Sequence, residues 1–228
     1  MELSILIPVY NEEKTVRQLI EKVKKVKLPI KKEIIVVDDK STDKSLEILK
    51  KIKGIKLIEH KKNVGKGFAI RTAIKYATGD IIIIQDADLE YEPEDYKNLI
   101  KPIIERKEIV VYGSRVLKKG NKLYTGLIFY LGGNFLTILT NTLFPSAHIT
   151  DEPTCYKVFR ADILKNIELK CKRFEFCPEV TAKILKKGIK IHEIPIYYYP
   201  RSIREGKKIN WKDGLEAIWT LIKYRFKD

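Results

Sequence analysis

Apolar runs and amphipathic segments alternate along the first half of the chain. Runs with the length and the flanking turns of buried strands lie at residues 3–10, 33–39, 55–60, 80–86 and 108–114. Between the first two runs, Val16, Leu19, Ile20 and Val23 recur at helical spacing, and we expect Asn11 to cap that helix. The alternation predicts an α/β domain in which helices flank a mostly parallel central sheet.

The second half of the chain does not continue this alternation. Residues 123–144 carry no charged side chain, and their length would suffice to span a bilayer. Asparagine, threonine and glycine dilute the apolar character, so we expect a helix half buried in the protein and half presented to lipid. A wholly internal helix is the alternative. The pattern further predicts a helix near 175–187 and a strand at 190–199.

A basic loop at residues 200–208 precedes a final amphipathic helix, for which we expect the bounds 211–228. Its apolar stripe consists of Trp211, Leu215, Ile218, Trp219 and Ile222. Lysine and arginine flank this stripe, which suits attachment to an anionic membrane surface. Packing of the stripe against the domain is the alternative.

Charge and cysteine content indicate the class of partner and the cellular compartment. The chain has 45 Lys+Arg against 30 Asp+Glu, a formal net charge of +15, which favours anionic partners such as nucleic acid, membranes or phosphorylated substrates. A solvated lysine-rich surface would explain the same excess. The 3 cysteines show no metal-ligand spacing, and the first residues lack a signal-peptide pattern. These features favour a cytoplasmic protein.

The segment IIIIQDADLEYEP, residues 81–93, places acids directly after a buried strand. Asp86, Asp88 and Glu90 alternate, so in extended backbone they point to one side. Crowded carboxylates need a cation, and Mg²⁺ or Mn²⁺ favours such oxygen ligands together with substrate phosphates. Two other strands end in polar residues, at Asn11–Glu12 and Asp38–Asp39. Ligands of open α/β sheets bind at this edge, so we expect one site there.

Four stretches together resemble a known family. SILIPVYNEE, VVDDKSTDKS, NVGKGFAIRTA and DADLEYEPED are similar to segments of the family 2 glycosyltransferases, in the same order and spacing. Within that family the similarity is greatest to the dolichyl-phosphate mannose and polyprenyl-phosphate glucose synthases. The resemblance implies the Rossmann-like GT-A fold over residues 1–210, with a nucleotide-sugar-binding half at 1–115 and an acceptor half at 116–210. The C-terminal helix would then be a membrane-facing elaboration.

The resemblance also implies roles for individual residues. Nucleotide-sugar contacts would come from Pro8, Tyr10, Asn11, Glu12, Asp39, Lys66, Gly67, Asp86, Ala87 and Asp88. The metal would be held by Asp86, Asp88 and Glu90. The acceptor phosphate would meet Arg115, Arg201, Arg204, Lys207 and Lys208. Asp88, Arg115 and Arg201 would be the catalytic residues.

The chemical nature of the acceptor decides whether the reaction needs a general base. A phosphate monoester is largely dianionic at pH 7 and needs no general base, whereas a sugar hydroxyl needs one. The basic loop and the apolar helices favour a polyprenyl phosphate as the acceptor, at the inner face of the cell membrane. The resemblance implies that the sugar comes from a nucleotide sugar and is transferred with inversion. For a hydroxyl acceptor of a polysaccharide or glycolipid, the candidate bases are Asp151, Glu152, Glu175 and Glu179. A nucleic-acid-binding module is a third hypothesis, which the acidic segment at the ligand edge disfavours.

Overall fold

The computed structural model describes residues 1–121, 126–201, 206 and 208–227. Its strands are β1 (Glu2–Val9), β2 (Lys31–Asp38), β3 (Lys56–Glu59), β4 (Ile81–Ile84), β5 (Val110–Ser114), β6 (Lys157–Arg160) and β7 (His192–Pro195). Its α-helices are α1 (Val16–Lys25), α2 (Ser45–Lys50), α3 (Lys66–Tyr76), α4 (Tyr96–Ile104), α5 (Leu127–Leu143), α6 (Ala161–Lys165), α7 (Phe176–Lys186) and α8 (Trp211–Phe226). A short 3-10 helix at Pro93–Asp95 leads into α4.

The strands form one 7-stranded sheet in the order β3-β2-β1-β4-β6-β5-β7. Strand β6 runs antiparallel to β4 and β5, and the other described pairs are parallel. This is the mostly parallel, helix-flanked α/β sheet that the sequence predicts. The isoleucines of β4 are buried on both of its faces: Ile81 and Ile83 lie in the cluster with α1 and α4, and Ile82 and Ile84 in the cluster with α3 and α7.

The β1–α1 loop differs from the prediction. Asn11 does not cap α1, which begins at Val16 after Thr15. Asn11 instead has a positive φ of 51°, and its N–H donates to Ser41 Oγ at 3.0 Å. Its side-chain oxygen accepts the Thr42 N–H at 2.7 Å. Asparagine tolerates this left-handed conformation, and here it ties the loop after β1 to the loop after β2.

Strands β7 and β6 also differ from the prediction. Strand β7 covers only His192–Pro195 of the predicted 190–199, because the chain then turns toward β4, where the Tyr199 N–H donates to the Glu90 carbonyl at 2.8 Å. Strand β6 is absent from the prediction, since it is short and begins with a lysine. Lys157 is nevertheless fully buried, and its Nζ lies 3.6 Å from the centre of the Tyr112 ring and 2.8 Å from the Glu152 carbonyl oxygen.

Helices α5 and α8 form an additional layer on α7. The buried side of α8 presents Ala217, Leu221 and Tyr224 to α7. The predicted apolar stripe of α8 therefore faces outward, with Trp211, Leu215 and Trp219 exposed. Among the described residues, no helix is long and apolar enough to cross a membrane. The division of the chain at residue 210 stays a prediction.

Candidate active site

The polar ends of β1, β2 and β4 meet at one edge of the sheet. These strands are neighbours and run parallel, so their carboxyl ends lie side by side. Glu12 follows β1, Asp39 follows β2, and Asp86 and Asp88 follow β4. Glu12 and Asp39 are buried although they are charged, as expected where polar groups line a cleft rather than the open surface. The structure thus brings together the acids that the sequence singles out.

Basic side chains lie among these acids. Lys66, the first residue of α3, is 2.7 Å from Asp86 Oδ1. The Arg201 guanidinium lies 3.0 Å from Glu12 and 3.2 Å from Asp88. Lys208 approaches from the same side and lies 2.6 Å from Glu12 Oε1. Every one of these pairs is partly or largely shielded from water, so the charges interact more strongly than surface ion pairs do.

The acids of the DAD segment differ in protonation. Burial raises the pKa of Asp88 to about 7, and the neighbouring charges of Asp86 and Glu90 add to the effect. Burial by itself would also raise the pKa of Asp86, but the Lys66 ammonium holds it below its ordinary value. The pKa of Lys66 is raised well above its usual value by Asp86, against the effect of burial. Asp88 is therefore the carboxylate for which a further cation is most favourable.

These oxygen donors suit Mg²⁺ or Mn²⁺, both of which prefer carboxylates and phosphate oxygens. In the described part of the chain, no three acidic, histidine or cysteine side chains converge in a metal-binding geometry, and Lys66 and Arg201 lie among the acids instead. The Glu90 carboxylate lies 3.9 Å from Arg201 Nε, on the same guanidinium that contacts Asp88, and it is also engaged by other groups. Its carboxylate accepts the Tyr198 hydroxyl at 2.8 Å and the Arg201 N–H at 2.7 Å. Metal ligation by Glu90 stays a prediction.

Asp39 anchors the turn that precedes α3. Its carboxylate accepts the N–H groups of Val64 at 3.1 Å and Gly65 at 2.6 Å, and it lies 2.7 Å from His60 Nδ1. Gly65 adopts a φ of 108°, which is open to glycine but strained for other residues. Asp38, the residue before Asp39, is 1% exposed, and its Oδ1 has no hydrogen-bond partner among the described residues. A buried unpaired oxygen of this kind marks a place for a donor group.

The first amides of α3 are already bonded. Gly67 N–H donates to the Arg173 carbonyl at 2.9 Å, and Phe68 N–H donates to the Lys172 carbonyl at 3.0 Å. A Cβ on Gly67 would lie 2.8 Å from the Arg173 carbonyl oxygen, so only glycine allows this approach. The helix N-terminus therefore binds a loop of the protein, and Lys66 projects from it toward the acids.

The remaining predicted nucleotide contacts lie on β1, on the loop after it and on the segment after β4. Pro8 belongs to β1, and Ala87, 4% exposed, is buried between the two aspartates. The carbonyls of Tyr10 and Asn11 accept hydrogen bonds from Lys208 Nζ. These residues sit at the same sheet edge as the acids, and their contact with a nucleotide stays a prediction.

Arg115 is held in a buried ion pair. Its side chain donates to both carboxylate oxygens of Asp151, at 2.7 and 2.6 Å, and its N–H donates to the same group at 2.8 Å. The guanidinium also stacks over the Tyr198 ring, 4.9 Å from the ring centre. These contacts fix the position of the Arg115 side chain, and its predicted roles in catalysis and in binding the acceptor phosphate stay predictions. Of the other predicted acceptor contacts, Arg201 and Lys208 reach the acids, and Arg204 and Lys207 lie outside the described residues.

Three of the four candidate general bases for a hydroxyl acceptor are engaged elsewhere, and the fourth, Glu152, is buried with no hydrogen-bond partner for its carboxylate oxygens among the described residues. Asp151 pairs with Arg115, as above. Glu152 is 0% exposed and its pKa is raised by burial. Glu179, also 0% exposed, accepts the Lys170 and Cys171 N–H groups, and Glu175 accepts those of Lys172 and Arg173. The partners of Asp151, Glu175 and Glu179 disfavour these three as general bases, and Glu152 stays a candidate.

Gln85, His60 and Tyr198 support the site, although the sequence pattern did not single them out. Gln85 is fully buried, accepts hydroxyl hydrogen bonds from Tyr96 and from Tyr156 (2.6 Å), and donates to the Asp86 carbonyl at 2.9 Å. It fixes the end of β4, where the acids begin. His60 and Tyr198 orient Asp39 and Glu90. A polar residue at the end of an all-isoleucine strand was the signal for Gln85, while the tyrosines are distant in sequence and gave none.

Helices α5 and α8 both carry exposed apolar side chains. On α5 they are Tyr130, Leu131, Phe135 and Ile138, and on α8 they are Trp211, Leu215, Trp219 and Phe226. We call this set the aromatic face. Trp219 is 63% and Ile138 64% exposed, values that large apolar side chains adopt mainly where a surface contacts something else.

Comparison with known proteins agrees with this geometry. The model of glycosyl transferase family 2 matches residues 4–168, which include β1 to β6 and every acid of the sheet edge. The chain belongs to this family. It is therefore a glycosyltransferase, and its sheet and flanking helices are the GT-A fold.

Named relatives include transferases that act on lipid phosphates. UDP-N-acetylglucosamine–dolichyl-phosphate N-acetylglucosaminyltransferase of Methanococcus voltae is 30% identical over 96% of this chain and 94% of its own length. Dolichol-phosphate mannosyltransferase of Pyrococcus furiosus is 28% identical over 98% of this chain, which spans 64% of that protein.

A solved structure supports the fold. Glucosyl-3-phosphoglycerate synthase from Mycobacterium tuberculosis, in complex with Mn²⁺, UDP and glucosyl-3-phosphoglycerate, superposes with a TM-score of 0.77 at 17% identity. The match covers 100% of this chain and 81% of that one. A complex of glucosyl-3-phosphoglycerate synthase from the same organism holds Mg²⁺ and UDP.

Proposed function

We propose that this glycosyltransferase moves a sugar, with inversion and with the help of a divalent metal, from a nucleotide sugar to a polyprenyl phosphate at a membrane surface. The observation that carries the acceptor assignment is the position of Arg201 and Lys208. Both lie at the acids of the donor edge, and they are followed in the chain by the aromatic helix α8.

The donor half of the proposal rests on the sheet edge. Asp86 and Asp88 would hold Mg²⁺ or Mn²⁺, which when bound stabilises the negative charge of the leaving diphosphate. Structural neighbours bind these metals together with UDP. The unpaired Oδ1 of Asp38 and the Asp39 turn would contact the nucleoside, and Lys66 would keep Asp86 ionised.

The acceptor half rests on charge. A phosphate dianion attacks without a general base, and the candidate bases Glu152, Glu175 and Glu179 are buried or occupied by backbone N–H groups. Arg201 would move from Asp88 to the incoming phosphate. Guanidinium groups bind phosphate with paired hydrogen bonds, which also orients the attacking oxygen.

The aromatic face supplies the membrane contact. Tryptophan and tyrosine prefer the interface of a bilayer, and α8 carries Lys212, Lys223 and Arg225 close to the exposed side chains. The lipid tail of the acceptor would stay in the bilayer while its phosphate enters the site. This supports a peripheral position on the inner, cytoplasmic face of the cell membrane, where basic residues meet anionic lipid.

One assay series tests this function. GDP-mannose, UDP-glucose and UDP-N-acetylglucosamine are each offered with a short polyprenyl phosphate and, separately, with the unphosphorylated polyprenol. We expect transfer to the phosphate alone, loss of transfer in EDTA, and recovery with Mg²⁺ or Mn²⁺. Asp88→Asn should be inactive yet folded, because a strand-tip acid contributes little to the core. Transfer to the polyprenol, or full activity of metal-free protein, would contradict the proposal.

A further inference from the structure

Glu90 joins the acidic segment after β4 to the segment that follows β7. Its N–H donates to Asp88 Oδ1 at 3.1 Å, and its backbone carbonyl accepts the Tyr199 N–H at 2.8 Å. The next residue, Tyr91, forms an antiparallel bridge with Tyr198. Backbone contacts therefore pair the two segments directly beside the carboxylate of Asp88.

The Glu90 carboxylate uses both of its oxygens on the segment after β7. Oε1 accepts the Arg201 N–H at 2.7 Å, and Oε2 accepts the Tyr198 hydroxyl at 2.8 Å. Glu90 is only 8% exposed, so water competes weakly for these two bonds. Hydrogen bonds to an ionised acceptor are stronger than neutral ones, and here two of them hold the segment on one carboxylate.

The two described arginines that are predicted to meet the acceptor phosphate both depend on partners of this carboxylate. Arg201 is bonded to it through its own N–H, so its side chain extends from a fixed backbone position and reaches Asp88 at 3.2 Å. The Arg115 guanidinium stacks over the Tyr198 ring, 4.9 Å from the ring centre. Glu90 thus fixes the backbone of one arginine and the ring against which the other packs.

We propose that Glu90 is a positioning residue for the acceptor phosphate rather than a metal ligand, and that it acts by holding residues 198–201. The assignment rests on the proposed function, which supplies the phosphate. Asp88 contacts the Arg201 guanidinium, a cation that a metal ion can replace, whereas the closest partners of Glu90 are an N–H and a hydroxyl, which are not cations. Asp86 and Asp88 remain as the carboxylates for the metal, and Glu90 keeps the acceptor arginines in place.

Kinetics with a short polyprenyl phosphate test this role in three variants. Glu90→Ala removes both acceptor oxygens and should raise the acceptor KM about tenfold, and Tyr198→Phe, which removes one hydroxyl, should raise it about fivefold. Glu90→Gln should stay within about threefold of the wild type, because its amide can accept the Arg201 N–H and donate to the Tyr198 hydroxyl. The KM of the nucleotide sugar should not change. An unchanged acceptor KM in Glu90→Ala would overturn the assignment.

Calorimetry separates positioning from metal ligation. Mn²⁺ is titrated, with GDP or UDP present, into the wild type, Glu90→Ala and the control Glu92→Gln. Glu92 is an acid of the same segment, but its carboxylate lies 2.7 Å from Lys22 Nζ on α1. We expect all three proteins to bind Mn²⁺ equally well, because Asp86 and Asp88 are retained. Mn²⁺ binding that is about tenfold weaker or more in Glu90→Ala alone would make Glu90 a metal ligand and refute its assignment as a positioning residue.

Amide hydrogen exchange, followed by NMR, reports the position of the segment without any turnover. We expect the Arg201 N–H to exchange at least about tenfold faster in Glu90→Ala than in the wild type, and exchange across β1 checks that the fold is intact. The Tyr199 N–H should change less, because alanine keeps the backbone carbonyl that accepts it. Equal exchange of the Arg201 N–H in both proteins would disprove the assignment. If the exchange differs but the wild type transfers no sugar to polyprenyl phosphate, the proposed function fails and Glu90 still holds Arg201.

Discussion

The guanidinium of Arg201 lies 3.2 Å from the carboxylate of Asp88, which we propose as a metal ligand. The arginine also bonds Glu12 at 3.0 Å, so an internal cation competes for the same negative charge. Replacing it should therefore favour the external cation. We expect Arg201→Gln to bind Mn²⁺ about tenfold more tightly at pH 8 without nucleotide, as measured by calorimetry.

Arg160→Gln is the matched control for this experiment. Arg160 is also paired with an aspartate, Asp162, but the pair is exposed at the start of α6. Its loss should leave Mn²⁺ affinity unchanged. Weaker Mn²⁺ binding in Arg201→Gln than in the wild type would show that the arginine supports the metal site rather than competing with it.

The buried pair of Arg115 and Asp151 gives a stability prediction. Asp151 is 1% exposed, so its removal leaves the guanidinium without its carboxylate in a shielded place. We expect Asp151→Asn to lower the free energy of unfolding by about 3–5 kcal/mol in urea titrations. The exposed pair Lys97–Glu94 offers the comparison, because Glu94→Gln should cost less than about 1 kcal/mol. If Asp151→Asn and Glu94→Gln lowered the free energy of unfolding equally, the Arg115–Asp151 pair would contribute no more to stability than an exposed ion pair.

Gly65 and Gly188 separate backbone strain from steric contact. Both have positive φ, 108° and 72°, but a Cβ would lie 2.5 Å from the Lys172 carbonyl oxygen at Gly65 and meets nothing within 4 Å at Gly188. Alanine at Gly188 should cost about 1–2 kcal/mol, the strain alone. Alanine at Gly65 should cost more and should also weaken nucleotide binding, since the turn holds Asp39. Thermal unfolding and calorimetry report both effects, and a Gly65→Ala variant as stable as Gly188→Ala would count against the contact.

The raised pKa of Asp95 predicts that the free energy of unfolding depends on pH. Burial raises its pKa to about 6, although the Tyr197 N–H, 2.8 Å from Oδ2, opposes the shift. The folded protein therefore binds this proton more tightly than the unfolded chain does, so Asp95 makes stability fall as pH rises from about 4 to about 6. We expect Asp95→Asn to remove this slope and to stabilise the protein at pH 7 by about 1 kcal/mol, a value reduced for solvent screening. An unchanged slope in urea titrations across this range would disprove the assignment.

The aromatic face predicts lipid binding. Trp219 is 63% exposed on α8, and an aspartate there would place a charge in the bilayer interface. We expect Trp219→Asp to sediment with anionic vesicles at least about tenfold less well, with nucleotide binding retained. Tyr76→Asp is the control, because Tyr76 is an exposed aromatic, 44% accessible, at the end of α3. Equal loss in both variants would mean that this face is not the contact.

Local pattern was enough for much of the fold. The alternation of apolar runs and helical stripes gave the α/β class, and the positions of acids after β1, β2 and β4 gave the sheet edge where the site lies. These features depend on residues near one another in sequence, and the geometry of parallel strands then brings their ends together. Helical periodicity likewise gave the apolar stripe of α8, while its outward direction was decided only by the packing of α8 on α7.

Tertiary structure alone decided the partners of these residues. Sequence could not show that Asn11 adopts a left-handed conformation to bond Ser41, or that Arg115 pairs with Asp151. Each of these contacts joins segments about 20 or more residues apart, and side-chain hydrogen bonding at such range depends on how the layers pack, which no local periodicity encodes.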